Sequence, residues 1–282
     1  MSDKVSVVTG ALGGMGMEIA TELARRGDAV VLLARDPVRG AAAVEAVRAA
    51  TGNPKVELVL ADFASLASVR RAAASIAARH AKVHAIVHNA AVYSATRKTT
   101  EDGHELMVGV NHLAPFLFTM LLVPQLEAAK GARVVFNSGD WKNPIAKDDL
   151  MSEKRFKALD TFGMSKSANN LMAVELAARL ASRRIAVHAV HPGFVKTKLV
   201  AEAPLPLRLI FAIIGQSKHQ GAQWPLRLIT SPDLEGATGK FFVKNKEQEF
   251  PAAAKDAEAR AWLFAESERL VGLAPAAVAK AA

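Results

Sequence analysis

The first stretch whose residue types and spacing could do chemistry is Thr9-Gly10-Ala11-Leu12-Gly13-Gly14-Met15-Gly16. It stands between a short apolar run, Val5-Ser6-Val7-Val8, and apolar residues at helical spacing, Ile19, Ala20, Leu23 and Ala24. A strand, a glycine turn and a helix in that order leave the first N–H groups of the helix unpaired beside the positive end of its dipole. The missing side chains let a pyrophosphate come close, so the implied ligand is a dinucleotide. Read from Gly14, the common G-x-G-x-x-G spacing would need a glycine where Ile19 stands, and a glycine cluster alone fits a plain tight turn equally well. The flanking strand and helix carry the reading.

Two further groups sit at strand ends. Arg35 closes the second apolar run, with Arg39 one turn on, where an NAD site would offer an acidic residue to the ribose 2′-hydroxyl; an arginine favours a 2′-phosphate and so NADP(H). The alternative is a surface arginine at a strand end. Ser138, Gly139 and Asp140 follow the fifth run, and Tyr93, the only tyrosine in the chain, follows the fourth.

The elements that must position these groups alternate regularly. Strands are expected at 5–8, 29–34, 56–60, 85–87, 133–137, 185–190 and 240–243, with helix-sized segments between all but the last pair. A long apolar helix over 107–122 carries Asn111, and another over 161–181 carries Phe162 and Lys166. The expectation is an α/β fold: one doubly wound, Rossmann-type domain over 1–282 with a seven-stranded, mostly parallel sheet and right-handed crossovers. Open sheets of this kind bind ligands at the carboxyl ends of their strands, where the residues above fall. Within 194–216 the apolar stretch from Leu205 to Gly215 is too short to span a bilayer and reads as a lid over a substrate, and 251–282 reads as a C-terminal tail.

Composition narrows the function. A chain of 282 residues, 51% hydrophobic and 6% aromatic, suits a large aliphatic core. With no cysteine, thiolate metal sites and cysteine nucleophiles are excluded, and no metal site is expected. The net charge of +9 is scattered over helices without interleaved aromatics, which favours a solvated surface over nucleic-acid binding. No apolar run approaches a membrane span, so a cytoplasmic protein acting on a small molecule is expected, with a homodimer left open.

From about residue 4 to about residue 250 the chain resembles the short-chain dehydrogenase/reductase family, in its retinol-dehydrogenase-like branch. Thr9, Gly10, Gly14 and Gly16 match the glycine motif. Asp62, followed by Phe63, matches the adenine contact, and Asn89-Ala90 matches part of an Asn-Asn-Ala-Gly motif from which His88 and Ala91 depart. Pro192-Gly193, Val195 and Thr197 match the segment that closes on the nicotinamide, and Ser231-Pro232-Asp233-Leu234-Glu235-Gly236 resembles the ending of the branch. The resemblance implies cofactor contacts from these residues and from Leu12, Met15 and Lys166. It also implies four catalytic residues, an Asn, a Ser, a Tyr and a Lys four positions after the Tyr. Asn111 and Lys166 fit two of them; the tyrosine position holds Phe162 and the serine position Gly139, with Ser138 one residue away.

Hydride arriving at a carbonyl carbon leaves an alkoxide that must be hydrogen-bonded and protonated, and phenylalanine can do neither. Three functions therefore stay open. The first is a reductase acting on a C=N or activated C=C bond, or using Asp140, Tyr93, Ser138 or His191 as substitute acid. The second is a non-redox isomerase or cyclase on a cofactor scaffold, with Asp140, Trp141 and Lys142 foremost, and the third is a cofactor-binding protein without chemistry. They rank in that order.

Overall fold

The computed structural model describes residues 3–196, 199, 213 and 215–274. Nearly all of the expected lid, including Leu205 to Ile210 and Phe211, and the expected nicotinamide contact Thr197 lie outside the described residues. Its strands are β1 (Val5–Thr9), β2 (Ala29–Ala34), β3 (Val56–Leu60), β4 (Ala85–His88), β5 (Ala132–Asn137), β6 (Ile185–His191), β7 (Lys240–Val243) and β8 (Lys246–Gln248). They form one sheet in the order β3-β2-β1-β4-β5-β6-β7-β8, parallel throughout except for the antiparallel pair β7 and β8.

The expected count of seven strands is thus one short. β8 is the sequence Lys-Glu-Gln, exposed along its whole length, and carries no alternation of apolar and polar residues to reveal it. It is made by a tight hairpin in which Lys244 takes a positive φ of 53°.

Helices cover both faces, and each face has its own apolar core. One core joins Ile19, Leu23 and Val47, from α1 (Gly14–Arg25) and α2 (Pro37–Thr51), to Val8, Val30 and Val87 of the sheet. The other joins Val69 and Ile76 of α3 (Leu66–Arg79) and Leu171 and Leu176 of the long helix Ala158–Leu180 to Val7, Val31 and Val134. Strand side chains alternate between the two, as parallel strands buried on both faces must.

The expected long helix over 107–122 is interrupted. α4 (Leu106–Val108) passes into a π turn (Gly109–Leu113) before α5 (Ala114–Leu121) resumes. The Ala114 N–H bonds to the Gly109 carbonyl, five residues back, and Pro115 has no N–H to offer the carbonyl of Asn111. After α6 (Val123–Ala128), α7 (Ala158–Leu180) and α8 (Lys218–Thr230), the expected tail contains α9 (Ala252–Lys255) and α10 (Ala257–Leu270). The Phe264 ring of α10 stands edge-on to Phe116 at 5.4 Å and under the Arg179 guanidinium at 3.8 Å. An alanine-rich composition hid a packed helix. No helix among the described residues is long and apolar enough to cross a membrane.

Candidate active site

At the carboxyl end of β1 the chain turns at Gly10, whose φ of +66° suits glycine, and a β-carbon there would meet Ala90 Cα at 2.9 Å. Gly16 is tighter still, because a β-carbon would lie 2.3 Å from the Gly10 carbonyl oxygen. The turn is pinned from β4: the Asn89 and Ala90 N–H groups both donate to Thr9 Oγ1 at 2.9 Å, and Asn89 Nδ2 donates to the Thr9 carbonyl at 3.1 Å. Asn137, at the end of β5, holds Asn89 Oδ1 at 3.0 Å.

The start of α1 fits an anionic group. α2 and α3 begin under side-chain caps from Asp36 and Ser65, whereas the Gly13 that begins α1 supplies no cap, its first turn holds no acid, and the space beside it is open. Free N–H groups facing open space are what a pyrophosphate would take up. At the end of β2, Arg35 is exposed, while Asp36 gives its carboxylate to the Val38 and Arg39 N–H groups, each at 3.0 Å. The acid adjoining Arg35 is engaged in capping a helix.

The other expected cofactor residues fall in different places. Asp62 lies at the end of β3 and accepts the Ala64 N–H at 2.9 Å. Phe63 turns its ring inward, 6.0 Å from that of Phe118, so its side chain belongs to the core. Leu12 and Met15 are half-buried against the α1 face, and Met15 and Val195 close on the same spot: a β-carbon on Gly221 of α8 would meet both at 2.7 Å. After Pro192-Gly193, Val195 pairs with Gln216 in a parallel bridge, and Gln216 also donates to the Pro192 carbonyl. The two ends of the intervening segment are thereby tied together.

Toward α7 the groups change character. Lys166 is buried; its Nζ donates to the Asn137 carbonyl at 3.1 Å and stands 5.7 Å from the centre of the Phe162 ring, and burial lowers its pKa to about 8. Phe162 meets Tyr93 at 5.7 Å and Trp141 at 5.8 Å, both edge-on, and Met107, Val92, Phe156 and Leu199 pack around this cluster. Ser138 is buried and donates its hydroxyl proton to the Lys166 carbonyl at 2.7 Å. Asp140 is exposed at the rim, and its charge acts on His191, whose pKa burial pulls down.

Asn111 is fully engaged. Its Oδ1 accepts the Val92 N–H at 2.8 Å, and its Nδ2 donates to the Val92 carbonyl at 3.0 Å and to Ser165 Oγ at 3.1 Å. Its side chain holds the loop that carries Tyr93. Its carbonyl, freed by Pro115, accepts Asn169 Nδ2 at 2.8 Å. Asn169 Oδ1 faces His112 Nδ1 at 3.3 Å, and His112 Nε2 faces Ser267 Oγ of α10 at 2.9 Å. The amide orientation makes every donor in this row point the same way, from Ser267 through His112 and Asn169 to Asn111. Sequence reasoning passed over His112, Asn169 and Ser267; the only hint was a histidine and an asparagine interrupting otherwise apolar helical faces.

The match to known proteins covers most of the chain. The model of the short chain dehydrogenase family matches residues 4–206. Mouse (Mus musculus) retinol dehydrogenase 12 is 36% identical over 275 residues, covering 96% of this chain and 87% of that protein. Among solved structures, an uncharacterised protein from Mycobacterium paratuberculosis superposes with a TM-score of 0.79 at 29% identity, covering 96% of this chain and 94% of that one. The Pseudomonas aeruginosa RhlG/NADP complex shares the fold, with a TM-score of 0.69 at 23% identity over 86% of this chain and 94% of that one. A glycine turn pinned by Thr9 and Asn89 and a parallel sheet with its crossing point above β1 and β4 agree with these matches: the chain belongs to the short chain dehydrogenase family, whose members use NAD(P) cofactors, and has retinol dehydrogenases among its relatives.

Proposed function

We propose that the protein is an NADP(H)-dependent oxidoreductase that reduces a small apolar substrate at a bond needing no tyrosine acid, a C=N or an activated C=C. One observation carries the reading: Lys166 points its ammonium at Asn137 and the face of a phenyl ring, where the family chemistry calls for a phenol. The pyrophosphate would be held at the open start of α1, the 2′-phosphate by Arg35, the adenine side by Asp62, and the ribose beside the nicotinamide by Lys166. When bound, the cofactor supplies a hydride and nothing acidic. Phe162, Tyr93 and Trp141 would offer apolar ring surface to the acceptor. Ser138 has its proton committed to a backbone carbonyl, which argues against it as the substitute acid.

The test is NADPH consumption with matched panels of saturated aldehydes and ketones, imines, and conjugated enones. The expected result is turnover with one of the latter two and negligible turnover with the first. Strong reduction of saturated carbonyls by the wild type would overturn the reading, and Asp140 or Tyr93 would become the acid.

A further inference from the structure

Trp141 is wedged between two glycines. A β-carbon built on Gly139 would lie 2.4 Å from the indole Cδ1 and 2.6 Å from Nε1, and one built on Gly163 would lie 2.6 Å from Cε3 at the other end of the ring. The indole lies where it does because neither position carries a side chain. Its backbone is tied to α7: the Trp141 carbonyl accepts Ser167 Oγ at 3.2 Å, and the Gly139 carbonyl accepts Asn170 Nδ2 at 2.9 Å. Phe162 meets the ring edge-on, with 82° between the planes.

The consequence is chemical. A serine at 139 would carry its hydroxyl one bond beyond that β-carbon, in the volume the indole Nε1–H now fills. Among the described residues Nε1 has no hydrogen-bond partner, and it is not one of the polar atoms sealed from solvent, as Nε1 of Trp224 is. An unengaged donor therefore stands in the place of the absent hydroxyl, beside the aromatic cluster of Phe162 and Tyr93.

We propose that the Trp141 Nε1–H is the hydrogen-bond donor to the substrate and that the substrate is an α,β-unsaturated carbonyl compound whose C=C bond is reduced; this rests on the NADP(H)-linked reading above. An indole N–H donates a hydrogen bond without giving up its proton. A saturated ketone would leave an alkoxide that needs a proton on oxygen, which neither Trp141 nor Phe162 provides. A conjugated enone escapes that need. Hydride forms a C–H bond at the β-carbon, the C=C π pair moves to the bond between the α-carbon and the carbonyl carbon, and the carbonyl pair moves to oxygen. The enolate oxygen then accepts the Trp141 N–H. Water gives a proton to the α-carbon, leaving hydroxide to the solvent; the C=C bond is reduced by two electrons and the dinucleotide is oxidised by two. Three edge-on aromatic rings suit a flat conjugated system.

The test uses the full-length chain with ¹⁵N-labelled tryptophan, saturated with NADP⁺ and titrated with 4-nitrophenol, whose phenolate oxygen mimics the enolate. The indole resonance absent from Trp141→Phe identifies Trp141. It should move downfield on titration while those of Trp224 and Trp262 stay, and Trp141→Phe should weaken phenol binding about 10-fold. In parallel, NADPH consumption should occur with 2-cyclohexenone and not with cyclohexanone, and should fall about 10²-fold in kcat/KM in Trp141→Phe. An unmoved resonance, failure of the phenol to bind, or an undiminished enone rate in the variant overturns the donor assignment and leaves the reductase reading standing. If the phenol moves the Trp141 resonance but neither enone nor imine consumes NADPH, the substrate class and the reductase reading both fall.

Discussion

The two sides of the crossing point above β1 and β4 obey different rules. On the β1 side, backbone does the work: Gly10 and Gly16 leave no room for side chains, Thr9 and Asn89 lock the turn with hydrogen bonds to main-chain atoms, and Asn137 holds the Asn89 side chain. On the α7 side, the surroundings are aromatic, with Phe162 between Tyr93 and Trp141 and the buried Lys166 ammonium over the Phe162 ring. A dinucleotide needs the same pyrophosphate cradle whatever it reduces, so that half tolerates little change. On the reading proposed above, the wall facing the substrate is free to follow its chemistry.

The largest effect that could break this contrast comes from restoring a phenol. Phe162→Tyr should raise NADPH-linked reduction of simple ketones and aldehydes from a negligible level by about 10²–10⁴-fold, because Lys166 already stands near the ring. Adding Gly139→Ser should bring little more until Trp141 is also made small, since the indole fills the space of the new β-carbon. Initial rates for the single, double and triple variants on one carbonyl panel decide it, and a wild type as active as Phe162→Tyr would erase the distinction between the two halves.

Lys166 belongs to both halves, and its titration shows which one uses it. With its folded pKa lowered from 10.5 to about 8, the native state binds fewer protons than the unfolded chain between those values. Stability should therefore rise with pH across pH 8 to 10.5, by about 3 kcal/mol at most, and be lowest below pH 8. Denaturant midpoints should flatten across that window in Lys166→Met. Saturating NADP⁺ should also flatten the slope, by giving the ammonium the ribose oxygens; an unchanged slope would take Lys166 away from the cofactor.

Arg35→Asp is smaller and confined to the cradle. Loss of a charge-assisted contact to a 2′-phosphate should weaken NADPH binding about 10–100-fold and leave NADH binding level or improved. Calorimetric titration of both cofactors checks it, and equal wild-type affinities would remove the NADP(H) preference.

The smallest expected change is Ser267→Ala, which ends the row of donors at His112. A loss of about 1 kcal/mol in stability is expected, together with a shift in the Asn169 amide resonances that a purely local packing defect in α10 would not produce.

The sheet was legible because runs such as Val30-Val31-Leu32-Leu33 are apolar on both faces and separated by helix-length segments, a pattern that only parallel strands between two layers satisfy. The glycine turn was legible for the same local reason. What escaped depends on contacts distant in sequence or on the absence of pattern. β8 has no apolar face, the π turn follows from Pro115 acting four residues upstream, and Ser267 reaches His112 across 155 residues. Trp141 had been singled out only for a non-redox reading. That its ring fills the spaces over Gly139 and Gly163 can be seen only once β5 and α7 are side by side.

The row that ends at the Asn111 carbonyl has a temporal consequence. Its first donor is on α10, so during synthesis the π turn is complete long before the residue that anchors it leaves the ribosome. Until α10 docks, the Phe116 face lacks Phe264 and His112 Nε2 lacks its Ser267 partner. Docking of the last helix should therefore be the late step in refolding, with Phe264 protection and a competent active site appearing in the same kinetic phase, after the parallel sheet has formed.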